Sequence, residues 1–187
     1  VFRAADRLRW IQSAGTGING ILDFPDLLNS DVVLTNCRGP HAAPMADHAI
    51  GMMVNLAHHT REIFEDQKAH RWNGGVYNSR MVELAGSTMG ILALGDIGAA
   101  IARRAHGFGM RVYAVDKFPD AVLERNDGVV PEGVDALWGL ERLDEMMQMS
   151  DWFVIAAPLT PASRGMIDKR RIGLLKDGAY FILISRG

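Results

Sequence analysis

The chain has 187 residues, of which 48% are hydrophobic and 22% are charged, as is ordinary for a globular protein. It carries 20 lysines and arginines against 22 aspartates and glutamates, so no basic excess points to a nucleic acid or a membrane surface. Cys37 is the single cysteine, so no intrachain disulfide can form, and a reducing, cytoplasmic compartment is the simpler expectation. No apolar run approaches the roughly 20 residues of a membrane span, and we recognise no signal peptide.

The N-terminal part of the chain has an α/β pattern. Strands are predicted from Leu8 to Ser13 and from Asp31 to Thr35, with a short helix and loops between them. The tight loop 14–17 exposes consecutive N–H groups that suit a small carboxylate. From the residues alone, a strand-to-helix turn without a ligand is the more ordinary interpretation.

The spacing of apolar residues along the chain then changes to that of a helix. Apolar residues form one broad stripe from Met45 to His70, which predicts a long helix or a bent pair. Such a helix is a candidate subunit interface, and we expect a homodimer through residues 45–70. His58 and His59 are adjacent, so on a helix they point about 100° apart and do not easily share an ion; we expect no metal site.

The segment 89–116 has the order strand, glycine turn, helix, strand, which is the order of half a dinucleotide-binding unit. A glycine turn that leads into a helix offers N–H donors to a pyrophosphate, and the helix dipole favours the anion. Asp116 closes the second strand, where a carboxylate binds both ribose hydroxyls and repels a 2′-phosphate, so NAD is favoured over NADP. The alternatives are a helix-packing turn without a nucleotide, or a site for another ligand such as a methyl donor.

This turn departs from the G-x-G-x-x-G pattern, because Ala93 replaces the first glycine. We expect the turn to survive, since alanine is tolerated in most turns with negative φ. Asp96 suits a helix N-terminus, but its charge would lie near a pyrophosphate. Lys117, next to Asp116, weakens the preference for NAD a little.

The rest of the chain continues the α/β order after an irregular stretch, 117–138, with at most one short helix. Helices are predicted at 140–149 and 167–175, and strands at 151–156 and 179–184. The fold class is therefore α/β, a doubly wound and mostly parallel sheet. Ligands in such sheets lie at the carboxyl ends of strands, where several of these loops converge. Pro158 is a rigid apolar wall for an adenine ring, or simply a loop breaker.

Several segments together resemble the D-isomer-specific 2-hydroxyacid dehydrogenases, which include phosphoglycerate, hydroxypyruvate, formate and D-lactate dehydrogenases. They are GILALGDIG, YAVDK, APLTPASRGMID and KDGAYFILISRG, with WIQSAGTGING and PMADHAIGMMVNLAHHTREI before them. The resemblance implies a partial flavodoxin-like substrate (catalytic) domain in residues 1–44. It implies a Rossmann NAD-binding domain in residues 45–187, truncated at its C-terminal end.

The resemblance also implies a role for individual residues. Arg186 corresponds to the catalytic arginine, which binds the carboxylate and keto oxygen of a 2-keto or D-2-hydroxy acid. The substrate-carboxylate loop corresponds to Ala14, Gly15 and Thr16. The NAD-binding residues are Gly95, Asp96 and Ile97 at the pyrophosphate, Asp116 and Lys117 at the ribose, Ala157, Pro158 and Thr160 at the adenosine, and Ile184 and Ser185 near the nicotinamide.

Two further departures bear on activity. Ala156 stands where many members of the family carry histidine. The family's general acid/base histidine and its glutamate follow the arginine, and none of the six histidines here occupies that position. We therefore expect a fragment of a dehydrogenase, with little or no activity on its own. The alternatives are an NAD-binding regulatory module, as in family-related corepressors, and a non-functional fragment that keeps only the nucleotide half-site.

Overall fold

The computed structural model describes residues 5–185, and contacts divide the chain into two units, Val1–His41 and Ala42–Gly187. The smaller unit contains a two-stranded parallel sheet and two short helices. In this sheet Ile11 is paired with Leu34, so that both strands end at the same edge. Its elements are β1 (Trp10–Gln12), α1 (Asn19–Leu22), α2 (Pro25–Leu28) and β2 (Val33–Thr35).

The larger unit is built on a five-stranded parallel sheet. Its strands are β3 (Thr88–Leu92), β4 (Arg111–Val115), β5 (Ala136–Trp138), β6 (Trp152–Ile155) and β7 (Tyr180–Leu183). Its α-helices are α3 (Ala42–Ala57), α4 (Thr60–Lys68), α5 (Gly74–Asn78), α6 (Asp96–Gly107), α7 (Pro119–Glu124), α8 (Leu143–Met149) and α9 (Lys169–Ile172). Within residues 5–185, no helix has both the length and the apolar character needed to cross a membrane.

The strands of the larger sheet follow the order β5-β4-β3-β6-β7. The chain therefore leaves β3 toward one side of the sheet, by way of β4 and β5, and later returns to the other side of β3 as β6. This reversal makes the crevice at the carboxyl ends of β3 and β6 the place where such sheets bind ligands. The predicted doubly wound parallel sheet is confirmed.

Both faces of this sheet are covered, as its continuous apolar strands require. One face packs against α3 and α6, with Ile91, Val112 and Val154 among the buried side chains. The other packs against α8, with Phe153 fully buried and Leu92 nearly so. The strands are fixed by burial from both sides, so the positions of their carboxyl ends are fixed as well.

The stripe from Met45 to His70 forms a bent pair of helices, α3 and α4, which is one of the two forms that its pattern predicted, and the backbone turns between them at His59, whose φ is 52°. Two other parts of the chain differ from the sequence-based expectation. The connection before β3 contains the short helix α5, and the stretch expected to be irregular contains β5. Both elements are short, with 5 and 3 residues respectively, so neither repeats an apolar pattern often enough to be recognised.

A buried carboxylate connects α4 to α5. Asp66 is 7% exposed; it accepts hydrogen bonds from the Arg71 guanidinium, the Asn73 amide and the Tyr77 hydroxyl. The three donors, the Tyr77 hydroxyl first, hold the pKa of Asp66 at about 2. The same contact raises the pKa of Tyr77. The short helix α5 is therefore held by polar contacts that a search for apolar periodicity does not detect.

We expect the larger unit to lose stability as the pH falls from about 3.8 toward 2. The pKa of Asp66 is lower in the folded protein than the ordinary 3.8, so its contribution is complete above the ordinary value and disappears through the folded one. Asp66→Asn should flatten the pH dependence of the urea midpoint in this window. The exposed Asp120→Asn controls for the change in net charge, and equal slopes in both variants would contradict the assignment.

Candidate functional site

Four loops meet at the carboxyl edge of the larger sheet, and backbone hydrogen bonds join them in one row. The N–H of Asp116 donates to Trp138 O, and that of Ala93 donates to Val115 O, at 3.0 and 2.8 Å. The row continues on the other side of β3, where Ala156 N–H donates to Leu92 O and Ile184 N–H to Ile155 O. The structure thus brings together the loops that carry the predicted cofactor residues.

The glycine turn lies above β3 and leads into α6. Gly95 is the N-cap residue, and no side chain within residues 5–185 caps the first turn of the helix, so N–H groups there remain available for an anion. A Cβ added at Gly95 would meet none of the described atoms within 4 Å, and its φ of −78° suits any residue. Glycine at this position therefore leaves open space beside the helix terminus, which is the shape that a bound pyrophosphate requires.

The neighbouring predicted residues also belong to this turn. Asp96 is exposed in the first turn of α6, and Ile97 is half-buried against the core. The negative charge of Asp96 interacts favourably with the helix dipole, but it also lies near any bound phosphate. Ile97 contributes its backbone to the turn while its side chain anchors it.

The turn is formed with alanine at position 93, as expected, but the reason given for it is wrong, because Ala93 adopts a φ of +76° and not a negative one. Alanine in the left-handed region is strained by about 1–2 kcal/mol, and glycine would relieve that strain. Gly98 is constrained differently, because a Cβ there would overlap the carbonyl oxygen of Ala93. The turn therefore has glycine at position 98, where close packing requires it, but has alanine at position 93, where the backbone conformation favours glycine.

Asp116 is fixed by two backbone groups. Its Oδ2 accepts a hydrogen bond from Leu94 N–H at 2.8 Å, and its Oδ1 accepts one from Phe118 N–H at 2.9 Å. Each carboxylate oxygen retains a further lone pair, so the group can still accept from ribose hydroxyls. The sequence did not reveal that Asp116 also holds the glycine turn. The exposed Lys117 ammonium lies 5.0 Å from the Phe118 ring centroid.

An apolar cleft of about 280 Å³ opens beside the ends of β6 and β7. Ala157 and Pro158 line it together with Ser185, so residues predicted for different parts of the cofactor share one wall. Thr160 lies in the adjoining turn, where its N–H donates to Ser163 Oγ at 2.8 Å. Ser163 Oγ in turn donates to Pro158 O at 2.7 Å. Sequence reasoning missed Ser163, although the spacing of Thr160 and Ser163 is typical of such turns.

The end of β7 carries the last described residues of the site. Ile184 and Ser185 are partly buried beside the loop that follows β6. Arg186, the predicted catalytic residue, lies outside the described residues. Ala156 occupies the position at which many resembling proteins have histidine, and its side chain offers no polar group.

In the smaller unit the loop 14–17 follows β1 directly. Ala14 and Thr16 are exposed, and Gly15 is partly buried. Among the residues that the structure describes, the N–H groups of Thr16 and Gly17 make no hydrogen bond. These two groups are therefore available to an anion, and Gly17 joins the residues that the resemblance indicated.

A protein-family model and several related proteins match this chain, in agreement with the geometry of the site. Residues 50–187 match the model of the D-isomer specific 2-hydroxyacid dehydrogenase, NAD binding domain. The chain belongs to the D-isomer-specific 2-hydroxyacid dehydrogenase family. The open glycine turn, the uncapped start of α6 and the fixed carboxylate of Asp116 fit the nicotinamide dinucleotide that this domain binds.

Relatives extend over the whole chain. A glyoxylate reductase from Pyrococcus furiosus is 30% identical, with 100% of this chain and 54% of the relative covered. The structure of a family protein from Aeromonas salmonicida has a TM-score of 0.83 and 29% identity, covering 99% of this chain and 55% of that one. A family dehydrogenase from Xanthobacter autotrophicus, in complex with NADPH and MES, has a TM-score of 0.77 and 27% identity, covering 100% and 55%.

The chain spans between about a third and about half of the length of the curated relatives that it matches. The shared part contains the glycine turn, the loop after β6 and the loop after β1. These are the places where sequence reasoning put the cofactor and the substrate carboxylate.

Proposed function

We propose that the chain is part of an NAD-dependent oxidoreductase that interconverts a 2-keto acid and a D-2-hydroxy acid. In this proposal residues 1–44 are part of a substrate domain and residues 45–187 belong to the NAD-binding domain. The observation that carries it is the row of hydrogen bonds that aligns four loops at one sheet edge, in a domain of this family. The single cysteine supports a cytoplasmic location.

The residues of the site divide the task among them. Gly95 and the N-terminus of α6 hold the pyrophosphate, and Asp116 holds the adenosine ribose. Ala157 and Pro158 exclude water on the adenosine side, and Thr160 fixes the loop that carries them. When bound, the nicotinamide supplies or accepts the hydride.

Two sets of groups are proposed to bind the substrate. The loop that contains Ala14, Gly15 and Thr16 binds the carboxylate through the N–H groups that remain available in it, and Arg186 binds the carboxylate and the keto oxygen. A guanidinium suits that bidentate task and polarises the carbonyl for hydride attack. None of the six histidines occupies the position of the family's general acid/base histidine, so the 187-residue chain alone is proposed to bind cofactor with little turnover.

Two measurements test this function. The 187-residue chain should bind NADH, as measured by quenching of tryptophan fluorescence, and show little turnover. A full-length protein should oxidise NADH with glyoxylate or hydroxypyruvate. NADH binding without turnover in the full-length protein would favour a regulatory module, and no binding in either form would refute both functions.

NAD is proposed as the preferred cofactor, because the Asp116 carboxylate repels a 2′-phosphate. Asp116→Asn should raise the ratio of kcat/KM with NADPH to that with NADH by about tenfold, equivalent to ~1.4 kcal/mol. Lys117→Ala is the matched change of charge at the next residue, and it should lower the same ratio. A wild-type protein that already prefers NADPH would show that the ribose assignment is wrong.

A homodimer through residues 45–70 is proposed as well. Met52 and Leu56 are exposed on one face of α3, and Phe64 on α4 is 55% exposed, which is typical of a surface that another protein covers. We expect a dimer in analytical ultracentrifugation, and the double variant Leu56→Asp with Phe64→Asp should shift it to monomer. Val129→Asp changes an exposed apolar residue elsewhere and should leave the dimer intact. A monomeric wild-type protein at high concentration would contradict the interface.

A further inference from the structure

The loop 14–17 is braced by the second loop of the smaller unit, residues 36–41. Because β1 and β2 are parallel neighbours in register, the loops that follow them leave the sheet at the same edge. Gly39 has a φ of +93°, a backbone conformation that favours glycine and turns this second loop. His41, two residues later, lies within hydrogen-bonding distance of the loop after β1.

Three consecutive carbonyl oxygens of the first loop accept hydrogen bonds from the second. Ala14 O accepts from His41 Nε2 at 3.0 Å, and Gly15 O accepts from Cys37 N–H at 3.3 Å. Thr16 O accepts from the Asn36 side-chain amide at 2.7 Å. A carbonyl oxygen can only accept, so His41 carries a proton on Nε2 in this contact.

Because the peptide bond is planar, these contacts to the carbonyl oxygens also fix the direction of the N–H groups. In a trans peptide unit the carbonyl of one residue and the N–H of the next point to opposite sides. Oxygens held by residues 36–41 therefore direct the N–H groups of Gly15, Thr16 and Gly17 away from that loop. Ser13 Oγ accepts from Gly15 N–H at 3.3 Å, which leaves Thr16 and Gly17 as the donors to an anion.

A second contact locks the same loop from its side chain. Thr16 Oγ1 donates to Cys37 O at 2.9 Å, so Thr16 is tied to the second loop both by its hydroxyl and by its carbonyl. Without these bonds a rotation of the peptide units would present carbonyl oxygens to the anion and repel it. These hydrogen bonds therefore determine whether the loop presents N–H groups or carbonyl oxygens to the anion, as well as where the loop lies.

We propose that Asn36 and His41 are positioning residues, which hold the carbonyls of the loop 14–17 and aim the N–H groups of Thr16 and Gly17 at a substrate carboxylate. The proposal rests on the proposed function, because that function places a 2-keto acid at this loop. Its ligand chemistry is that of a small monocarboxylate with a neighbouring carbonyl group.

The first experiment measures binding by the 187-residue chain, with oxamate as the probe. In ¹H–¹⁵N spectra the amide signals of Thr16 and Gly17 should shift progressively as oxamate is added. His41→Leu and Asn36→Ala should each weaken oxamate binding at least fivefold. His41→Gln places an amide donor at a similar reach and should restore affinity to within about twofold, ~0.4 kcal/mol. Ser30→Ala removes a turn hydrogen bond elsewhere in the same unit and serves as the control.

The second experiment measures kinetics in a full-length protein. The two disruptive variants should raise the KM for glyoxylate at least fivefold, with kcat and the KM for NADH unchanged, because the lost interaction is made equally in the ground state and the transition state. Equal rises in both KM values would indicate a merely structural role and overturn the proposal. So would oxamate affinities in the variants equal to that of the wild type.

The two experiments separate this inference from the proposed function. Suppose that the full-length protein reduces no 2-keto acid, yet oxamate shifts the amide signals of Thr16 and Gly17 and the variants lose that response. The positioning role of Asn36 and His41 is then supported, and the proposed function fails. If turnover is present and the variants keep the wild-type KM for glyoxylate, the positioning role is refuted and the proposed function is supported. An absence of oxamate shifts in the wild-type chain overturns the donor assignment.

Discussion

Replacing Gly98 with alanine is expected to lower the free energy of unfolding by about 2–3 kcal/mol and to abolish measurable NADH binding. The added Cβ would overlap the carbonyl oxygen of Ala93, and this is a backbone atom that cannot rotate away. Alanine ordinarily favours a helix interior over glycine by about 1 kcal/mol, so the expected loss goes against the intrinsic propensity. Chemical denaturation and fluorescence titration with NADH measure the two effects.

Two variants in the same turn separate packing from ligand access. Gly95→Ala should leave the free energy of unfolding unchanged, since its Cβ meets nothing, but should weaken NADH binding because the methyl group enters the space meant for the ligand. Ala93→Gly relieves the positive φ and should stabilise the fold by about 0.5–1 kcal/mol. If Gly98→Ala unfolds at the same denaturant concentration as the wild type, the close approach of α6 to this turn is not real.

Replacing Arg186 with alanine in the full-length protein is expected to reduce kcat/KM with glyoxylate by about 10²–10³-fold. In the proposed function this guanidinium contacts the substrate carboxylate and the keto oxygen on which negative charge develops. NADH affinity should change little, because the pyrophosphate and ribose contacts lie at the glycine turn and Asp116. Steady-state kinetics with varied keto acid, together with NADH titration, measures both quantities.

Arg186→Lys is the matched control for this position. It keeps the charge but loses the planar pair of donors, so its activity should lie between those of the wild type and the alanine variant. Wild-type turnover in Arg186→Ala would remove the catalytic role from this residue. Equal losses in the two variants would show that the paired donors matter rather than the charge.

The sequence predicted the elements whose patterns repeat. The strand before the glycine turn, the helix after it and the buried strand 152–155 all have enough apolar positions in phase to be recognised. It did not predict α5, whose stability comes from the polar contacts of Asp66. Nor did it predict β5, whose 3 residues have no repeat to detect.

Within the site, the positions of residues were predictable and their bonding was not. The rule that ligands bind at the carboxyl ends of parallel strands placed Asp116 and Pro158 at one edge from the sequence alone. The positive φ of Ala93 and the two backbone bonds to Asp116 depend on how the turn packs against β4. Such details arise from tertiary contacts, which no local pattern contains.

The row of backbone hydrogen bonds across the sheet edge also bears on the thermodynamics of association. Ala93, Asp116, Ala156 and Ile184 are each already bonded to a neighbouring strand when the chain is folded. Ordering a free residue costs about 1–2 kcal/mol of backbone conformational entropy, and at these four positions that loss is incurred during folding. A dinucleotide therefore meets a rigid edge, and little of its intrinsic affinity is consumed in ordering these residues.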